Sequence, residues 1–157
     1  MRGQGKHGGH DHLGPDMAAR HKRDQAVFHA LLRSHEAIRR QVTDLPDGIR
    51  AITETDDPEL AGLIRAHAHE MHRRLGEGFG LRHWDPAFVE IFAQRHKLRM
   101  VVTDTRKGVV IEETSDDPNV ATLIRAHGAV VSAFVRSGER AASLPSPLPE
   151  EYVRVAS

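Results

Sequence analysis

The sequence predicts an α+β fold in which two tandem αββα units form a four-stranded antiparallel sheet packed with helices. The main observation is an internal repeat: residues 28–75 align with residues 88–135 without a gap, and 15 of the 48 aligned pairs are identical. Each copy also shows a helical pattern, two strand patterns and a second helical pattern in the same order. Since a single hairpin is marginal alone, we expect the two hairpins to share one sheet.

The first helix of each unit is predicted from apolar residues spaced three or four positions apart. It runs from Arg20 to about Ala37 in the first unit and from Ala87 to about Arg95 in the second. The apolar stripes comprise Val27, Phe28, Leu31, Leu32 and Ile38 in one copy and Phe88, Ile91 and Phe92 in the other.

A β-hairpin follows each of these helices. Its first strand is clearest in the second unit, where Leu98, Met100 and Val102 recur at every second position. The returning strands are predicted at 49–55 and 109–114. Gly48 and Gly108 end the two turns, at positions where a tight hairpin often requires a positive φ.

The last helix of each unit begins at an Asp-Pro pair. Asp57 and Asp117 are predicted N-caps, and the prolines that follow fit the first helical position. These helices run to about Leu75 and Val135. Capping also explains the paired aspartates at 56–57 and 116–117 without an acid/base role.

One domain, at about residues 18–142, is expected from the length of 157 residues. Residues 1–17 are rich in Gly and His and are predicted to be a disordered tail, and residues 143–157 are predicted to be a Pro-rich tail. Between the units, a Gly-rich connector at 76–86 carries the only Trp of the chain.

The composition narrows the classes of function. With 22 basic and 22 acidic side chains and no clustering of Lys and Arg, we expect no nucleic-acid partner. We expect no membrane partner and a cytoplasmic location, because the sequence has no long apolar run and its start does not resemble a secretory signal. The lack of Cys excludes thiolate metal sites, iron–sulfur clusters and cysteine nucleophiles. Motifs typical of hydrolases, kinases and dehydrogenases are also missing.

Histidine is the compositional clue to chemistry, with 12 residues in the chain. His67 and His127 occupy equivalent positions on the apolar stripes of the last helices, and His35 continues the stripe of the first helix. Burying an imidazole without a partner costs about 1 to 3 kcal/mol, so three inward histidines require hydrogen bonds or a shared ligand. Bound haem or a transition metal such as Fe, Cu or Zn is one solution.

A haem site would need apolar walls and cations for the propionates as well as an axial imidazole. The candidates for the walls are Phe28, Leu63, Ile64, Met71, Phe92 and Phe134, and those for the propionates are Arg65, Arg73, Arg74 and Arg125. A bare ion could instead use His69 and His72, which lie three residues apart, or the tail histidines at 7, 10 and 12, although these are more typical of solvated residues.

Several motifs resemble a group of duplicated bacterial proteins that are usually labelled hypothetical. The similarity covers about residues 28–138 and is carried by the run 29–35, the Asp-Asp-Pro turns at 56–58 and 116–118, Trp84-Asp-Pro86 and Leu123-Ile-Arg-Ala-His127. This resemblance implies a bacterial origin and histidines kept at positions 35, 67 and 127. It brings no established activity.

Three functions are compatible with these observations. The first is a haem- or transition-metal-binding protein that uses His35, His67 and His127. The second is a structural or protein-interaction homodimer, paired through its sheet or its connector, in which the histidines are hydrogen-bonded. The third is a haem-dependent enzyme that acts on peroxide or a nitrogen oxide.

Overall fold

The computed structural model describes residues 14–77, 85–146 and 148–155. The predicted αββα order is confirmed twice over, with a single 3-10 turn before the first strand of each hairpin. The first helix begins at Gly14, so it includes the end of the predicted tail, of which residues 1–13 lie outside the described residues. The elements are α1 (Gly14–Arg33), β1 (Ile38–Leu45), β2 (Gly48–Thr55), α2 (Pro58–Glu77), α3 (Pro86–Ala93), β3 (Arg99–Thr105), β4 (Gly108–Thr114), α4 (Pro118–Ser137) and the short α5 (Glu139–Ala142).

The sheet is antiparallel and has the strand order β1-β2-β4-β3. At its centre Ala51 of β2 pairs with Ile111 of β4, which is its own equivalent 60 residues along the chain. The two units are therefore related by an approximate two-fold axis through this pair, as the repeat predicts. Each unit contributes one inner strand, so neither hairpin needs to be stable alone.

The turn glycines serve a different purpose from the one predicted. Among the glycines of the described residues only Gly138 has a positive φ, of 60°. A Cβ added to Gly48 would lie 1.9 Å from the carbonyl oxygen of Glu113, and one added to Gly108 would lie 2.0 Å from that of Thr53. Glycine is needed at both positions because the end of each hairpin lies directly on the backbone of the other inner strand.

The predicted Asp-Pro caps are confirmed in both units. The Asp57 carboxylate accepts from the Glu59 amide at 2.9 Å, and the Asp117 carboxylate accepts from the Asn119 amide at 2.9 Å. Asp85 also caps α3 through the Ala87 amide, at 3.3 Å. These bonds satisfy amides that would otherwise be unpaired in the first helical turns.

The C-terminal segment is packed on the domain, contrary to the predicted Pro-rich tail. Ser146 donates its amide and its hydroxyl to the two carboxylate oxygens of Asp85, at 2.9 and 2.8 Å. Tyr152 is 6% exposed, packs with Ile91 and Leu123, and donates its hydroxyl to Glu90 at 2.6 Å. Leu148 and Tyr152 therefore extend the hydrophobic core over α3 and α4.

In the part of the chain that the structure describes, no helix combines the length and apolar character needed to cross a membrane.

Candidate functional site

The three candidate histidines lie in three different environments. His35 precedes β1, and its Nδ1 donates to the carbonyl oxygen of Val135 near the end of α4, at 2.7 Å. A carbonyl only accepts, so this contact places the proton on Nδ1. The ring edge also lies against Gly138, where an added Cβ would be 2.5 Å from Cδ2. His35 thus joins the first unit to the end of α4 as a hydrogen-bonded histidine.

His67 lies on α2 with its ring stacked on Phe28 of α1. The ring centroids are 5.6 Å apart and the ring planes are inclined by 20°. Its Nδ1 is shielded from water and has no hydrogen-bond partner among the described residues. Burial lowers the pKa of His67 to about 4, a shift that Glu70 opposes and Arg74 reinforces. The imidazole is therefore neutral at physiological pH and keeps a ring nitrogen with a free lone pair.

His127 occupies the equivalent position in the second unit. Its ring meets the edge of Phe88, with centroids 4.9 Å apart and an interplanar angle of 77°. Phe88 is the equivalent of Phe28, so the repeat keeps a Phe-His pair in both units. Both histidines are half-buried, since the sheet-facing positions of their helices are taken by apolar and small residues such as Ala68 and Gly128.

Phe134, another predicted wall residue, contacts Phe28, the ring that stacks on His67. It is buried on α4 and makes an edge contact with Phe28, at 5.9 Å between ring centroids. Phe28 therefore touches both His67 and Phe134, and three helices meet at these rings. Met71 on α2 and Phe92 on α3 are half-buried.

Arg65 and Arg125, the predicted propionate partners, bind the hairpin turns. Arg65 donates to the carbonyl oxygens of Thr105 and Arg106, and Arg125 donates to those of Leu45 and Pro46. The shorter bond is 3.0 Å for Arg65, to Thr105, and 2.7 Å for Arg125, to Leu45. Each arginine thus ties the last helix of its own unit to the hairpin of the other unit, which is a structural role repeated by the duplication.

Comparison with known proteins gives no relative. No protein-family model matches the chain, and no curated protein or solved structure is similar enough to count as a match.

A buried charge network lies next to His67 between α1 and α2, and it contains Arg74, for which the sequence predicted a different role as a propionate partner. Arg74 is 1% exposed and pairs with Asp24 and with Glu70, whose Oε2 is 3.4 Å from Arg74 Nε. Arg20 pairs with Glu70 at 2.8 Å and with Glu77 at 2.6 Å. The spacing of Glu70 and Arg74, four residues apart on one helix, was the available signal.

This network shifts the pKa values of two of its carboxylates, Asp24 and Glu70, in opposite directions. Burial raises the pKa of Asp24, against the effect of its hydrogen bond from Arg74. Burial also acts to raise the pKa of Glu70, but hydrogen bonds from Arg73 and Arg20 outweigh it and lower that pKa. Glu70 is therefore held as a carboxylate a few residues from the neutral ring of His67.

The other predicted metal ligands do not form a metal site in the part of the chain that the structure describes. His69 Nε2 lies 2.7 Å from Asp104 Oδ1 on the surface, and His72 is exposed. Within residues 14–77, 85–146 and 148–155 no group of three His, Asp or Glu side chains is suited to hold a metal ion. The tail histidines at 7, 10 and 12 lie outside the described residues.

Proposed function

We propose that this protein binds haem or a transition-metal ion through the imidazole of His67. The observation that carries the proposal is the buried Nδ1 of His67, which has no hydrogen-bond partner among the described residues. An unsatisfied buried nitrogen costs about 1 to 3 kcal/mol, and a bound ligand is one of the few arrangements that recover this cost.

The surroundings of His67 favour haem over a bare ion. Haem needs only one imidazole from the protein because the porphyrin supplies four nitrogen ligands, whereas a bare transition metal needs three or four protein ligands. Phe28 stacks on the ring of His67 and makes an edge contact with the buried Phe134, and such an aromatic environment suits a flat apolar ligand. Since the pKa of His67 is about 4, binding an iron would not require the loss of a proton at neutral pH.

Haem titration of the purified protein tests the proposal. We expect one equivalent of ferric haem to give a Soret band typical of imidazole ligation, and His67→Ala to weaken binding by about tenfold or more. His69→Ala is the matched control, because His69 lies two residues away on the same helix and is paired with Asp104 on the surface. Metal analysis of the protein from metal-replete cells covers the bare-ion alternative. Equal haem and metal occupancy in wild type and His67→Ala would refute the assignment.

A further inference from the structure

The helices that pack on the sheet, α2 and α4, cover only one of its two faces. On that face α2 packs against Val109 of β4, and α4 packs against Ile49 of β2. Side chains that alternate with these two along the strands lie on the other side of the sheet, which we call the open face. Its central part consists of Gln41 on β1, Arg50 and Ile52 on β2, Val110 and Glu112 on β4, and Val101 on β3.

Four side chains of the inner strands form the centre of the open face. In the register of β2 and β4, Arg50 is opposite Glu112, and Ile52 is opposite Val110. Arg50 Nε lies 3.7 Å from Glu112 Oε2, and these two side chains are 43% and 47% exposed. Ile52 and Val110 remain partly exposed, and Val101 on the neighbouring strand is 54% exposed. The open face therefore presents an ion pair beside an apolar pair.

The internal repeat exchanges the charged and the apolar positions of this centre. Val110 is the repeat equivalent of Arg50, and Glu112 is the repeat equivalent of Ile52. The approximate two-fold axis of the chain therefore maps the ion pair onto the apolar pair. A partner that covers the open face must match charge with charge at one end and apolar surface with apolar surface at the other.

A second copy of the chain meets this requirement in one orientation. Sheets that pack face to face lie about 10 Å apart with their strands nearly aligned, and a two-fold dimer uses the same surface in both copies. An axis that runs along the strands, between β2 and β4, places Arg50 over Glu112 of the partner subunit and Ile52 over Val110 of the partner subunit. The two ion pairs then form one cluster of alternating charges. An axis across the strands would instead place Arg50 over an isoleucine, which leaves its charge uncompensated.

The open face is large enough for a weak dimer. Its four strands are seven or eight residues long and, at about 4.8 Å apart, span about 19 Å by about 25 Å. Two such faces together bury on the order of 1,000 Å² of surface, which is the size of a weak but specific interface.

We propose that this protein forms a two-fold dimer through its open face. Arg50 of each copy binds Glu112 of the partner subunit, and Ile52 packs on Val110 of the partner subunit. The apolar contact excludes water from the centre of the interface, and the alternating charges fix the orientation of the two copies. The open face is on the far side of the sheet from α2 and His67, so the dimer does not depend on the proposed haem site.

Sedimentation equilibrium over a range of protein concentrations tests the dimer. We expect wild type to be dimeric at about 100 μM and to dissociate on dilution to about 1 μM. Ile52→Glu should raise the dissociation constant at least about tenfold, because it places a carboxylate against Val110 of the partner subunit. The variant should fold, since glutamate is already present at the repeat-equivalent position 112. Val153→Glu is the matched control, because Val153 is 68% exposed in the C-terminal segment, and it should leave the dissociation constant unchanged.

A pair of charge reversals tests the orientation of the two copies. Arg50→Glu and Glu112→Arg each place like charges opposite one another across the interface, so each variant alone should dimerise at least about tenfold more weakly than wild type. An equimolar mixture of the two variants restores opposite charges at both contacts and should form a heterodimer within about threefold of the wild-type dissociation constant. Wild type that stays monomeric at about 100 μM would overturn the proposal. So would a dimer that Ile52→Glu leaves intact, or a mixture of the charge-reversed variants that stays monomeric.

Discussion

Gly108→Ala is expected to destabilise the folded protein by at least about 3 kcal/mol, a large part of the 5 to 15 kcal/mol typical of a domain. The added Cβ would lie 2.0 Å from the backbone oxygen of Thr53, and no side-chain rotation relieves a contact with backbone. The inner strands would have to separate, which breaks the bond of 3.0 Å from the Thr55 amide to the Lys107 carbonyl. Gly48→Ala should cost as much, since its Cβ would lie 1.9 Å from the oxygen of Glu113.

Urea unfolding measures this effect, and Gly62→Ala is the control. Gly62 is inside α2 with no atom within 4 Å of an added Cβ, so alanine there should stabilise the protein by about 0.5 to 1 kcal/mol. A Gly108→Ala protein within about 1 kcal/mol of wild type would contradict the close approach of the two inner strands.

Arg74→Met is expected to lower the free energy of unfolding by about 3 to 5 kcal/mol, because it leaves the carboxylates of Asp24 and Glu70 without their buried partner. The three side chains are 1%, 12% and 5% exposed. Removing the matching charge as well, in Arg74→Met with Asp24→Asn, should recover part of the loss, since a neutral pair has no ion to desolvate.

Arg73 supplies the comparison for this prediction. It also pairs with Glu70 but is 58% exposed, so Arg73→Met should cost no more than about 1 kcal/mol. Chemical unfolding of wild type, the two single variants and the double variant gives their free energies of unfolding. Equal losses for Arg73→Met and Arg74→Met would show that burial of the network contributes nothing.

The local elements of the fold could be predicted because their signals lie in short stretches of sequence. Asp57-Pro58 and Asp117-Pro118 carry the capping oxygen and the fixed φ of a helix start within two residues. The repeat then gave the order of the elements. Gly48 and Gly108 were correctly placed at the turns, but their real constraint comes from the other unit's inner strand, which no local pattern reveals.

The candidate site was harder to predict because long-range packing decides it. A single apolar stripe on the last helix of the first unit predicts that Leu63, His67 and Met71 point toward the interior. In the structure, however, α2 packs against two elements, the sheet on one side and α1 on another. Small residues such as Ala68 face the sheet, and a polar seam containing Arg74 faces α1. The docking of Tyr152 on Glu90 also depends on residues that are 62 positions apart.

The ring of His67, neutral and with its Nδ1 shielded from water, is the proposed ligand of haem or a metal ion, and NMR of its ring nitrogens tests this most directly. Without ligand, we expect the His67 signals to stay those of a neutral ring from about pH 8 to about pH 5, because burial lowers its pKa to about 4. One equivalent of ferric haem should then shift or broaden the His67 signals. A ring of His67 that titrates near 6.5 and does not respond to excess haem or transition-metal ions would contradict the account.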